Sequence, residues 1–352
     1  MDNREIVIRA LSRDNPVRVP KEASFTPLVA EKLKEKIGRN DFETYFNMEM
    51  RGVGISPTKR KTDFSRYLPS NLPEGTTIDE TGIAHVPGSM YHFTKMRHPL
   101  VTLTNVKELE EYPFPDETEA YRYDGLNEKV DKLHKEGYFV IGAVGHIFEA
   151  AWGMRGMEEL FADFMLNHDF ATYLLDKITS SREIMAEEMA KAGCDQILLG
   201  DDIAMQNKMI MSPETWKKWI KPRLAEVIAK AKAVNQKIFV YYHSDGNIRD
   251  VIPDLIEVGV NVLNPVQPEC MDPSDIKKKY GNKLSFWGTI GTQTTMPFGT
   301  PEDVKKEVKK RIETVGYDGG LVLAPTHILE PDVPVDNILA FFDAVSEFGY
   351  YK

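Results

Sequence analysis

From about residue 138 onward the chain alternates short, continuously apolar runs with longer segments in which apolar residues recur every three or four positions. The apolar runs are Tyr138–Val144, Gln196–Leu199, Ile238–Tyr242, Val260–Leu263, Leu284–Trp287 and Leu321–Ala324. Unbroken hydrophobicity over so few residues predicts strands buried on both faces, as in a parallel sheet. Helices are expected between them, near residues 157–167, 171–192, 213–234, 247–258, 273–279, 301–315 and 335–348. Pro213 and Pro301 fall in first helical turns, and Gly316 follows a helix end, as the preferences of helix termini require.

Strands alternating with amphipathic helices imply parallel strands joined by helical crossovers. An earlier strand is expected at Val17–Pro20, after a first helix over about residues 3–12. The order fits a closed (β/α)8 (TIM) barrel better than a doubly wound sheet, because no glycine-rich phosphate turn opens it. The doubly wound sheet stays open on pattern alone. Residues 40–115 break the rhythm, being rich in Pro, Gly, Thr and aromatics, with an expected hairpin at Thr76–His85. They are expected to be an insertion near the amino-terminal strand that caps one mouth of a single domain, residues 1–352.

Composition narrows the function classes. Of 352 residues, 42% are hydrophobic, and 44 basic against 54 acidic residues give a net charge of −10. That balance argues against a nucleic-acid partner. No apolar run is long enough to span a bilayer, and the amino terminus lacks the order of a secretory signal, so no membrane association and a cytoplasmic location are expected. Cys194 and Cys270 are the two cysteines, too few for a disulfide framework or a four-thiolate zinc site.

In such barrels chemistry sits where strands end. The strand ends here carry His146 and Glu149, then Asp201 and Asp202, then His243 and Asp245, then Asn264 and Gln267, then Trp287, then His327. If the strand over 238–242 stays extended, His243 and Asp245 share a side. With His327 they offer two imidazoles and a carboxylate, a donor set that suits a divalent metal. Each residue has a plainer reading: His243 as a hydrogen-bonded strand-end histidine, Asp245 as a helix cap, Asp201 and Asp202 as turn carboxylates, His327 as a loop residue. One shared cavity explains their coincidence more economically.

Gly200-Asp-Asp-Ile-Ala204, Tyr242-His-Ser-Asp-Gly246, Asn264-Pro-Val-Gln267, Phe286-Trp-Gly288 and Met296-Pro-Phe-Gly-Thr-Pro301 together resemble the uroporphyrinogen decarboxylase superfamily, from about residue 138 to the end. The true decarboxylases of that superfamily carry an Arg-Gln-Ala-Gly-Arg core whose arginines grip a polycarboxylate. Here Arg18-Val-Pro-Lys-Glu-Ala-Ser-Phe25 lacks that arginine pair. The superfamily's zinc methyltransferases use His-x-Cys and a distant Cys. His243-Ser-Asp245 matches the first with Asp for Cys, and Leu323-Ala-Pro-Thr-His327 matches the second with His for Cys. The resemblance therefore implies a corrinoid-dependent methyltransferase of the demethylating kind, with zinc on harder ligands.

On that resemblance His243, Asp245 and His327 are expected to bind zinc, and Asp202, His243 and Asp245 to be catalytic. Asp202 serves as a further ligand or orients one. His146, Tyr242, Asn264, Gln267 and Trp287 are expected to bind the substrate, a small methylated compound such as a methoxylated aromatic. Cobalamin is expected on a partner corrinoid protein, because no Asp-x-His-x-x-Gly motif occurs here. A homodimer is one assembly open to the chain. Two rival readings are a metal-free decarboxylase or lyase acting on a small acid, and a non-catalytic corrinoid or small-molecule binder.

Overall fold

The computed structural model describes residues 1–88 and 95–351. Seven strands form one parallel sheet: β1 (Met50–Val53), β5 (Phe139–His146), β6 (Gln196–Gly200), β7 (Phe239–His243), β8 (Val262–Asn264), β9 (Ser285–Ile290) and β10 (Leu321–Pro325), hydrogen-bonded in that order. Three short strands, β2 (Thr77–Ile78), β3 (Ala84–Val86) and β4 (Lys95–Arg97), form a separate antiparallel sheet. The hairpin expected at Thr76–His85 is its β2–β3 pair. The strands after residue 138 are predominantly apolar because helices cover the outer face while the sheet curls around an inner one.

The amino-terminal strand differs from expectation. Val17–Pro20 forms no strand of the sheet; Arg18 makes an isolated antiparallel bridge to Tyr350. Pro16 and Pro20 bracket the segment, and each lacks the amide hydrogen that a ladder needs. The chain joins β10 just afterwards, where Leu323 N donates to Pro20 O at 2.9 Å and Glu22 N to Leu323 O at 3.0 Å. The sheet's first regular strand is instead β1, whose residues fall inside the 40–115 range. Its sequence, Met-Arg-Gly-Val, is no apolar run: Arg51 lies 3.9 Å over the Tyr138 ring at the edge of the sheet. The helix expected over 213–234 is also two helices, Pro213–Trp219 and Lys221–Val234, because Pro222 starts a new first turn.

A buried carboxylate joins these two early segments. Glu49, just before β1, is fully buried, pairs with Arg18, and accepts from Lys21 N at 3.0 Å. The segment beside β10 is thereby tied to the strand at the opposite edge of the sheet.

The inner face carries Met50, Phe139, Tyr241, Val262, Trp287, Val322 and Ala324, which cluster with Val7 and Leu11 of α1 (Asn3–Ser12). α1 closes the end of the sheet at which strands begin: Arg4 N donates to Gly137 O at 2.7 Å, Gly320 N to Ala10 O at 2.6 Å, and Ser285 Oγ to Leu11 O at 2.6 Å. Asp2 caps α1 by accepting from Glu5 N. The open end is therefore the one where strands finish. Leu11→Ala, at a residue only 2% exposed, is expected to cost about 2–5 kcal/mol through the cavity it leaves. Urea denaturation checks this, and a loss below about 1 kcal/mol would contradict the role given to α1.

Candidate functional site

Parallel register sets one row of residues across four neighbouring strand ends. His146 pairs with Gly200, Gly200 with His243, and His243 with Asn264. Gly200 has no room for a side chain, since a Cβ there would come within 2.7 Å of the His243 Cβ. The row thus holds two imidazoles and one carboxamide at the open end of the sheet.

A chain of hydrogen bonds fixes the imidazole of His243. Asn264 Nδ2 donates to the Trp287 carbonyl at 2.7 Å, which turns Asn264 Oδ1 toward His243 Nδ1 at 2.5 Å. That oxygen only accepts, so Nδ1 is the donor and Nε2 is the ring atom left facing the carboxylates. Nε2 faces Asp202 Oδ1 at 3.5 Å. Asp202 Oδ1 also accepts from Asp245 N at 2.7 Å, drawing the turn after β7 inward. Asp202, His243 and Asp245 each offer a ligand atom within 4.8 Å of the others. Asp245 Oδ1 is buried and has no hydrogen-bond partner.

Beside this group lies a second, His146, Glu149 and Asp201, with ligand atoms equally close. Asp201 Oδ1 accepts from Ile147 N at 3.0 Å and Glu149 N at 2.9 Å, fastening the start of the helix Phe148–Arg155 to β6. His146 Nδ1 touches Glu149 Oε2. Burial, the largest influence, lowers the His146 pKa, yet the hydrogen bond and charge of Glu149 outweigh it and the pKa is raised.

The carboxyls are held unusually basic. Burial, opposed in part by His146, pushes Asp201 up to about 7. Burial raises Asp245 to about 6, with the negative charges of Asp202 and Glu149 adding to it and His243 opposing. Such perturbed carboxyls beside an oriented imidazole are the surroundings expected of a cation site or an acid–base site.

The other expected site residues separate. Trp287 faces the inner side, with its Nε1 donating to Glu22 Oε2 at 3.3 Å and its ring edge-on to Tyr241 at 5.5 Å. Gln267 supports the turn rather than standing free: its Oε1 accepts from Gly246 N at 2.7 Å. Tyr242 belongs to the core between sheet and helices, while Tyr241 and His243 occupy the inner face. Alternation along β7 makes this unavoidable, because consecutive side chains take opposite faces. His327, half-buried after β10, belongs to neither ligand group.

Below the row is a cavity of about 820 Å³ lined by Glu22, Met50, Ile141, Leu198, Tyr241 and Trp287 among others. Two of its lining residues were not legible as site residues. Tyr241 could have been found, since it sits two positions before His243 on the same face. Glu22 could not, because it comes from a segment outside any regular strand. Glu22 is held by Trp287 and by Ser24 Oγ at 3.0 Å, and burial raises its pKa.

Seven parallel strands with helical crossovers, and a carboxylate–imidazole group where the strands end, define an α/β protein of the barrel type with its chemistry at the open end. The chain belongs to the uroporphyrinogen decarboxylase (URO-D) family, whose description matches residues 77–348. It is 27% identical over 207 residues to the methylcobamide:CoM methyltransferase MtaA of Methanosarcina barkeri (strain Fusaro / DSM 804), covering 56% of this chain and 57% of that protein. The chain thus spans a little over half the length of that relative. It is 24% identical over 264 residues to a uroporphyrinogen decarboxylase of Vesicomyosocius okutanii, covering 72% of each. A methyltransferase from Methanosarcina mazei shares the fold, with a TM-score of 0.71 over 99% of both chains at 20% identity. Among the described residues no helix is long and apolar enough to cross a membrane.

The raised carboxyls have a consequence for stability. A carboxyl whose pKa is higher folded than unfolded binds protons more readily in the fold, so its contribution falls as pH rises between the two values. For Asp245 that window runs from 3.8 to about 6. Asp245→Asn is expected to flatten the pH dependence of stability across it, measured by urea denaturation with chelator present. An unchanged slope would contradict the environment assigned to Asp245.

Proposed function

We propose that the protein is a corrinoid-dependent methyltransferase that removes the methyl group from a methoxylated aromatic and passes it to the cobalt of a corrinoid on a partner protein. We further propose that the segment over residues 21–25 completes the curled sheet as its eighth strand. The observation that carries the functional reading is the Asp202–His243–Asp245 group, with His243 Nε2 turned toward Asp202 and one Asp245 oxygen unpartnered. Nitrogen and carboxylate oxygen are donors that zinc accepts. Zinc bound by these three residues would supply Lewis acidity to the ether oxygen.

The chain's own residues do the rest. Asn264 keeps Nδ1 of His243 protonated, so the opposite nitrogen stays available. Tyr241 and Trp287 make an aromatic wall for the ring in the cavity below. The raised pKa of His146 keeps a proton near the oxygen that departs. Breaking the methyl–oxygen bond leaves the electron pair on that oxygen, and the methyl group goes to the corrinoid.

The decarboxylase reading loses its substrate clamp. Arg18 and Lys21, the basic residues of the segment that grips polycarboxylates in the decarboxylases, both engage the buried Glu49. The residue of that segment at the cavity is acidic, Glu22, and Arg51, which also lines the cavity, is engaged by Glu43 at 3.5 Å and by the Tyr138 ring. A polycarboxylate would meet repulsion where it needs a cation.

The test supplies 2-methoxyphenol and a reduced corrinoid protein, and follows release of catechol together with methylation of the corrinoid by absorbance. Wild type is expected to turn over, and His243→Ala to lose about 100-fold or more in kcat/KM. Turnover without corrinoid, or equal turnover by His243→Ala, would overturn the proposal.

A further inference from the structure

A second cavity, of about 290 Å³, lies between the helix His168–Lys191 and the loop around residues 114–118. Its lining residues are separate from the Asp202–His243–Asp245 group and from those of the larger cavity below the row. Its walls include Phe114, Glu117, Met154, Lys177, Ser181 and Arg182.

The charges around it are unevenly satisfied. Arg60 pairs with Asp116 and Glu119, each at 3.2 Å. Arg122, behind the wall, pairs with Glu80 at 2.6 Å and Glu117 at 3.6 Å. Those two arginines engage all four acids. Lys177 lies 5.9 Å from the Phe114 ring, acts on Asp116 only from beyond ion-pair distance, and forms no ion pair among the described residues. Arg182 donates its Nε to the His146 carbonyl at 3.0 Å, and its Nη1 has only long contacts of 3.4 Å to Ser181 Oγ and Met185 Sδ. No carboxylate oxygen of the described residues lies within 4.0 Å of its guanidinium.

A desolvated guanidinium with no carboxylate in direct contact is unfavourable, and burial lowers the Arg182 pKa although Glu117, Asp201 and Glu80 oppose this from beyond ion-pair distance. The missing complement is an anion. Arginine's planar fork matches a carboxylate through two parallel hydrogen bonds. Phe114, Met154 and Ile178 offer an apolar wall beside it. Asp116 and Glu117 also line the cavity and would oppose a doubly charged group such as phosphate.

From the two unpaired cations and the apolar wall we infer that this cavity is a binding site for a small monocarboxylate with an apolar body, such as an aromatic acid. Its carboxylate lies between Arg182 and Lys177, and its body rests against Phe114 and Met154. Because Arg182 also holds the carbonyl of His146, the occupant is an effector coupled to the open end of the sheet rather than a substrate.

The experiment is calorimetric titration of the full chain with benzoate, acetate, phosphate and methyl benzoate. Benzoate is expected to bind most tightly and methyl benzoate, its neutral analogue, not to bind. Arg182→Gln is expected to weaken benzoate about tenfold or more, as the loss of a charge-assisted hydrogen bond requires. Lys177 is exposed, so Lys177→Ala will fold even if Arg182→Gln does not, and it is expected to weaken benzoate about threefold or more. His243→Ala is expected to bind benzoate as wild type does, which separates this cavity from the methyl-transfer site. Absence of benzoate binding, phosphate binding as tightly as benzoate, unchanged affinity in Lys177→Ala, or loss in His243→Ala would each overturn the inference.

Discussion

The register that sets His146, Gly200, His243 and Asn264 side by side is the constraint on which the site depends. Parallel strands advance together, so a one-residue slip of β7 would turn His243 into the helical layer and Tyr242 into the cavity. Gly200 leaves the space that the His243 side chain fills, and the Asn264 amide, locked by the Trp287 carbonyl, selects the imidazole tautomer. Asp202 and Asp245 then follow within two residues of the row. The metal-ready group is a product of strand register first and of loop conformation second.

The opposite end of the sheet explains why the row can be open. α1 fills the end where strands begin with Val7 and Leu11, and the carboxylates and imidazoles stand at the end where strands finish. Glu49 ties the segment beside β10 to the start of β1, using Arg18 and Lys21 to neutralise a fully buried carboxylate. The same pairing removes those two cations from any role in gripping a polyanion. A single buried interaction thus joins two distant segments and engages both cations.

The strands from β5 to β10 were legible because burial on both faces selects mostly apolar residues, with the polar ones near the strand ends. β1 was not, since Met50–Val53 at the edge of the sheet tolerates Arg51 and Gly52, and the proline-bounded Val17–Pro20 imitated a strand in its place. In the site, His243 and Asp245 were legible from spacing and Asp202 from its place after β6. The structure brings these three together although β7 ends at His243. Tyr242 was expected at the substrate, but alternation along β7 places Tyr241 on the inner face and Tyr242 in the core behind it. The position of His327 relative to the group depends on how β10 and its loop pack, which spacing along a chain does not encode. The unpaired Arg182 was beyond sequence altogether, because pairing is a property of distance.

The account rests on Asp202, His243 and Asp245 holding a zinc ion, so elemental analysis of the purified protein tests it most directly. Protein produced with zinc supplied is expected to retain about one zinc per chain, and His243→Ala to retain none. Wild-type protein free of zinc and of every other transition metal, or full occupancy in His243→Ala, would contradict it.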